Sequence, residues 1–248
     1  MKIRLLFIII LALSDLHSQA QTRTVENRPY TDLRPFHFGV LVGTHFQDIE
    51  FQNIGQQTIT GTEGTTTEQL ITCDQDRWDA GFTVGVLGEL RIDKHFAFRV
   101  APAMYFGNRH LTFHHLADPQ NNGTPTEQHQ DMKTAYISSA LHLIYGAERL
   151  NNYRPYIIAG LNPMINLSGS SDNYLKLKRY DCYFEIGIGC DFYLPFFKLR
   201  PELKFSYSLM DALDKTHSSR LKDKNMLAYS NSVNKAHTKI IALTFYFE

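Results

Sequence analysis

The chain has 248 residues, and its 25 Lys+Arg balance 25 Asp+Glu, so no charge excess marks it for nucleic acid. Hydrophobic residues at 43% and charged ones at 20% exclude a disordered chain. Seventeen Phe and thirteen Tyr beside only nine Pro favour β structure.

Lys2 and Arg4 precede an apolar run from Leu5 to Leu13, and the small-residue site Ser18-Gln19-Ala20 follows. This is the pattern of a secretory signal peptide over residues 1–20, cleaved before Gln21. Asp15 and His17 interrupt the run before the ~20 apolar residues a membrane-spanning helix needs. Position 21 is not Cys, so a lipid anchor on the new amino terminus is not expected. Residues 21–33 read as a periplasmic lead and 34–248 as the folded domain. No later apolar stretch reaches helix-spanning length, which leaves two classes for an exported aromatic-rich chain: a soluble β-sandwich or barrel, and an outer-membrane barrel.

Alternation of period two runs through eight segments: Phe36 to Phe46, Phe82 to Leu90, Phe96 to Phe106, Lys133 to Tyr145, Tyr153 to Met164, Cys182 to Phe192, Phe197 to Leu209 and Lys239 to Phe247. It is strictest in the sixth, where Cys182, Phe184, Ile186, Ile188, Cys190 and Phe192 alternate with Tyr183, Glu185, Gly187, Gly189, Asp191 and Tyr193. In the seventh, an apolar face alternates with Lys198, Arg200, Glu202, Lys204, Ser206 and Ser208. The segments run 9 to 13 residues, close to the roughly 9–11 residues of a tilted membrane-crossing strand.

The connections alternate long and short: 47–79, 92–95, 114–132, 146–152, 166–180, 194–196 and 210–236. Short turns on one side and long polar loops on the other predict an all-β, eight-stranded antiparallel up-and-down transmembrane β-barrel, with long extracellular loops, short periplasmic turns and both termini periplasmic. Three up-going strands open with Leu33-Arg34-Pro35, Tyr153-Arg154-Pro155 and Leu199-Arg200-Pro201, and a fourth has the looser Phe98-Arg99-Val100-Ala101-Pro102. Proline cannot donate to a ladder, so these residues are expected at the periplasmic rim or at bulges.

An eight-stranded barrel is just wide enough for side chains to fill it. A hairpin closed across Pro195-Phe196 pairs Asp191 with Arg200 and sets Gly189 and Gly187 opposite Glu202 and Lys204; a turn at Asp93-Lys94-His95 sets Glu89 against Arg99. An interior charge network of Glu89, Arg99, Glu185, Asp191, Arg200, Glu202 and Lys204 is therefore expected, structural in role, because buried charges must be paired.

Other chemistry is weaker. His110, His114, His115 and His129 do not have diagnostic metal-ligand spacing. Of three Cys, Cys182 and Cys190 lie too far apart on one strand to bond, while Cys73 could reach Cys182. Ser138, Ser139, His142 and Asp181 lack a nucleophile motif, and the Gly61-Thr62-Glu63-Gly64 stretch within the Thr-rich run lacks the Lys and helix of a phosphate-binding loop. The last long loop, with Lys215, Arg220, Lys222, Lys224 and Lys235 beside Asp211, Asp214 and Asp223, is a candidate docking surface or a solvated loop. No catalytic, cofactor-binding or metal residue is expected.

Arg34-Pro35-Phe36-His37-Phe38-Gly39, Gly81-Phe82-Thr83-Val84-Gly85 and above all the run from Glu185 to Ser206 resemble the PorT (SprT) family of outer-membrane barrels. The likeness extends from about residue 33 to the end. It implies a non-enzymatic component of the type IX secretion system, needed for export of proteins with C-terminal sorting domains and gliding-type adhesins. A filled barrel would serve that machine as an accessory subunit rather than the conduit. The expected partners are outer-membrane lipid and other secretion-system subunits, with no nucleic acid and no small-molecule substrate. A stand-alone structural or adhesive barrel is the alternative.

Overall fold

The structure, a computed structural model, describes residues 25–60, 66–116, 124–168, 173–221 and 226–248; residues 1–20, expected to be a signal peptide, lie outside them. Among the described residues there are ten strands: β1 (Phe36–Asn53), β2 (Gln56–Thr60), β3 (Thr66–Asp74), β4 (Asp79–Arg91), β5 (Phe96–His115), β6 (Thr126–Gly146), β7 (Tyr153–Asn166), β8 (Tyr180–Tyr193), β9 (Lys198–Ser208) and β10 (Val233–Phe247). Eight of them, in the order β5-β4-β1-β10-β9-β8-β7-β6, pair antiparallel, and β5 with β6 closes the ring. The seam of first and last strand is long, running from Val40 opposite Phe247 to Asn53 opposite Val233.

Closure leaves no unpaired edge in the ring, which is what a sheet needs in a hydrocarbon layer where backbone groups have no water to bond. The alternation along each strand then sorts side chains by face. Outside are Phe38, Val42, Phe82, Ile157, Ile186, Ile188, Leu203 and Phe205, all exposed, while Arg99, His142, Glu185, Arg200 and Glu202 inside are almost wholly buried. Apolar outside and charged inside is the reverse of a soluble barrel.

Several strands run beyond the span their alternation suggested. β1 continues from Phe46 to Asn53, β5 from Phe106 to His115, and β6 begins at Thr126 rather than Lys133. Residues expected in loops therefore form a barrel extension, and within the 47–79 connection β2 and β3 form a hairpin whose β3 pairs with β5 from Ile71 opposite His115 to Asp74 opposite Thr112. The alternation fades here because the outward positions of the extension, such as Glu50, Gln52, Glu127 and Asp131, are polar and exposed.

Two of the prolines correct another expectation. Pro102 lies inside β5 opposite Ser139, and Pro201 inside β9 opposite Phe245, neither at a rim nor at a bulge. Each ladder is instead interrupted on the side where the missing N–H would point. Between β4 and β5 the pairs Gly85–Ala103 and Gly88–Val100 flank the gap at Pro102, and between β8 and β9 Gly189–Glu202 and Phe192–Leu199 flank the gap at Pro201. Register is the same on both sides of each gap, so the lost hydrogen bonds are tolerated without inserting a residue.

Both ends of the barrel are covered. At the short-turn end the lead segment lies across the mouth: Asn27 donates its N–H to Asn152 Oδ1 (2.8 Å) and its side chain to the Tyr193 carbonyl (3.0 Å), and Tyr193 donates its hydroxyl to Asp32 (2.7 Å). Arg149 lies over the Tyr193 ring at 3.7 Å. At the long-loop end a second apolar core forms from Ile49, Ile71, Cys73, Leu111, Phe113, Met132, Leu175, Leu213 and Val233. The rings of Phe113, Tyr174 and Tyr229 meet within it at 5.1–5.6 Å, and Gln130 exchanges two 3.0 Å hydrogen bonds with the Leu175 backbone.

Gly160 on β7 stands opposite His142, where an added Cβ would lie 2.0 Å from the Leu141 carbonyl oxygen. A Gly160→Val barrel should fold in markedly lower yield and lose at least about 1–3 kcal/mol, read by heat-modifiable gel migration in detergent; an unchanged folded band would contradict this packing.

Candidate functional site

The barrel interior is organised in layers. Nearest the short-turn end, two guanidinium groups bind three carboxylates. Arg99 Nε donates to Glu89 Oε2 at 3.0 Å and its Nη1 donates to Glu202. Arg200 Nη1 donates to the same Glu89 oxygen at 2.7 Å, and its Nε donates to Asp191 at 2.6 Å. The registers that set these contacts place Glu89 opposite Arg99, Gly189 opposite Glu202 and Gly187 opposite Lys204. The Tyr156 ring fills the space over Gly189, with its hydroxyl donating to Glu202 Oε1 at 2.7 Å. Arg99 also lies 4.6 Å from the Tyr246 ring centre and Arg200 lies 5.1 Å from that of Tyr156.

Five of the seven expected residues, Glu89, Arg99, Asp191, Arg200 and Glu202, thus meet in one lattice. The other two stand in the next layer. Glu185 accepts from Asn162 (2.8 Å) and Ser206 (2.9 Å) and lies 2.6 Å from His142 Nε2. Lys204 donates to the Tyr246 hydroxyl at 3.1 Å, and among the described residues no ion pair joins it to a carboxylate.

The lattice also contains residues not expected there. The Glu248 side chain enters the short-turn mouth, where it contacts His37, lies 2.7 Å from Lys198 Nζ and 3.5 Å from Arg200. This ties β1 to β9 and β10 across the seam. Lys198 shares the charged face of its strand with Arg200, so alternation could have found it; His37 and Glu248 required knowledge of the closure. Below them is a cavity of about 30 Å³ lined by Asp32, His37, Arg154 and Lys198, room for about one or two waters.

The remaining candidates are dispersed. His110 lies 2.7 Å from Asp79, His114 lies 3.2 Å from Glu127, His129 contacts Thr112, and buried His115 stacks edge-on near Tyr229. No group of three metal-binding side chains converges among the described residues. The three cysteines are free, with Cys73 inside the cap core. Ser138 donates to the Ala103 carbonyl, His142 faces Glu185, and Asp181 accepts from Ser208 at 2.8 Å, so these side chains serve separate contacts. Gly61 to Gly64 lie outside the described residues, as do Lys222, Asp223 and Lys224 of the last loop.

In that loop Asp211 is a structural residue. It accepts N–H groups from Ala236 (3.1 Å) and Leu213 (3.2 Å). Partial burial opposes its ionisation, but those bonds and the nearby Lys178 and Lys215 outweigh it and hold the carboxyl below its usual range.

Residues 19–214 match the outer membrane protein beta-barrel domain. The chain belongs to this family. Among solved structures, it is similar to the outer membrane protein OprG from Pseudomonas aeruginosa at 13% identity and TM-score 0.46, over 85% of this chain and 93% of that one. Neisserial surface protein A matches at 12% and 0.41, over 86% and 98%. Ail, the attachment invasion locus protein of Yersinia pestis, solved with the heparin analogue sucrose octasulfate, matches at 10% and 0.38, over 86% and 99%. No curated protein matches. The chain is a small barrel of the cell outer membrane, and its apolar outer wall is in contact with membrane lipid.

Replacing Arg200 by Leu leaves Glu89 and Asp191 without their shared cation. Loss of one partner from such a buried set costs about 3–5 kcal/mol. Urea unfolding of Arg200→Leu in detergent should therefore show a strongly lowered midpoint, partly restored in Arg200→Leu/Asp191→Asn; a midpoint equal to wild type would remove the lattice as a stabilising element.

Proposed function

We propose that this barrel is a non-enzymatic, non-conducting accessory or assembly subunit of the type IX protein secretion system. The filled lumen is the observation that carries the accessory role. Arg99, Arg200, Glu89, Asp191 and Glu202 bond one another across the width of the barrel, and the apolar core covers the long-loop end. A protein substrate has no passage through such an interior, so any role in export is exercised at the wall, the rim or the loops. The likeness of the Glu185 to Ser206 run to the PorT family supports the choice of machine. Its partners would then be other subunits of the machine and lipid.

Ala228 and Val233 belong to the cap core, so excising the last loop would damage the fold as well as any docking surface. Charge reversal at Lys215, Arg220 and Lys235 is the cleaner probe of that surface. The primary test is a clean deletion with export of sorting-domain proteins measured in medium and periplasm. Cargo should accumulate in the periplasm, with recovery on complementation; normal export would overturn the reading in favour of a structural or adhesive barrel.

A further inference from the structure

The long-loop end carries a second concavity, separate from the lumen. A cavity of about 220 Å³ opens between Ile54, the segment at Leu175–Lys176, the turn at Leu213–Lys215 with Ser218, and the residues Ser230, Asn231, Val233 and Asn234. Leu175, Leu213 and Val233 form its floor and are anchored in the cap core, and half-exposed Ile54 forms an apolar wall. Lys176, Lys215, Ser230, Asn231 and Asn234 supply the polar lining.

The charges are unevenly committed. Asp214 lines the cavity too, but its Oδ1 accepts the Thr216 N–H (3.1 Å) and hydroxyl (2.7 Å), and its Oδ2 accepts from Arg220 at 2.9 Å. Partial burial opposes its ionisation, yet these bonds hold the carboxyl below its ordinary range, so it is an engaged anion. Lys215 Nζ lies 3.5 Å from Asp211. Lys176, whose carbonyl accepts the Asp214 N–H at 2.9 Å, has no carboxylate within ion-pair distance of its ammonium among the described residues. Among the described residues, one cation without a carboxylate partner and one partly engaged cation therefore line a cavity with an apolar wall and several groups that both donate and accept.

We infer that this cavity binds a single carboxylated sugar residue. Its volume falls below the roughly 300–1,000 Å³ of sites for drug-sized ligands and suits one pyranose ring. A pyranose presents a C–H face to Ile54 and hydroxyls to the Asn231 and Asn234 amides and the Ser230 hydroxyl, all of which can donate and accept. One carboxylate matches the Lys176 ammonium, a point charge that imposes no bidentate geometry. An acyl chain would leave that polar lining unpaired, and a nucleotide would exceed the space and find no ring in the lining to stack on. The cavity lies among the connections at the long-loop end, so the sugar is either a free acid in the medium or the terminal unit of a surface glycan. This site is independent of the secretion reading.

The test is titration of the purified full-length barrel in detergent with D-glucuronate, methyl glucuronide, glucose and acetate, followed by calorimetry and saturation-transfer NMR. Glucuronate should bind with Kd on the order of 1 mM, with glucose and acetate at least about tenfold weaker. Lys176→Gln should weaken glucuronate about tenfold without altering heat-modifiable migration, which separates loss of the site from loss of the fold. Methyl glucuronide binding as well as the free acid assigns the site to a glycan terminus, and weaker binding assigns it to the free acid. Absence of glucuronate binding, equal binding of glucose or acetate, or an unaffected Lys176→Gln barrel would overturn the inference.

Discussion

Two arginines held inside a closed sheet set the terms for this molecule. Moving Arg99 and Arg200 out of water is costly, and the cost is met only if carboxylates reach both forks with good geometry. Glu89 bridges the two, Asp191 and Glu202 complete them, and Tyr156 occupies the space over Gly189 that a larger residue would fill. The need to complete this lattice favours one strand register and buries Arg99, Arg200 and Glu202 in the middle of the barrel. It also explains the inverted composition of the strands, since the outer face is free to be apolar only if the polar residues have partners within.

The same constraint organises the short-turn end. Glu248 brings a further carboxylate to Arg200 and Lys198 and meets His37 on the first barrel strand. Ring closure and charge pairing are therefore coupled at the seam. The lead segment, bonded to Asn152, Tyr193 and Asp32, covers that mouth. At the other end the solution differs, because the strand extensions leave the bilayer and bury an apolar core beneath their connections.

Much of this was legible in the residues. Strict alternation from Cys182 to Tyr193 requires two chemically distinct faces, and the short turns at Asp93-Lys94-His95 and Pro195-Phe196 bring Glu89 to Arg99 and Asp191 to Arg200 by counting alone. What escaped needed long-range information. Glu248 and His37 are 211 positions apart and meet only because the ring closes. The cap core draws Ile71, Met132, Leu175 and Ala228 from the four long connections 47–79, 114–132, 166–180 and 210–236, none of which shows a period that would mark it. A local rule puts Pro102 and Pro201 at the rim or at bulges, whereas their strands carry register past each gap through the intact ladder on the other side.

A lumen closed by the Arg99 and Arg200 lattice is the claim on which both the stability and the proposed accessory role depend. Single-channel recording of the purified wild-type barrel in a planar bilayer tests it most directly. The account predicts a membrane that stays electrically silent after verified insertion; discrete, reproducible conductance steps from the folded wild-type protein would contradict it.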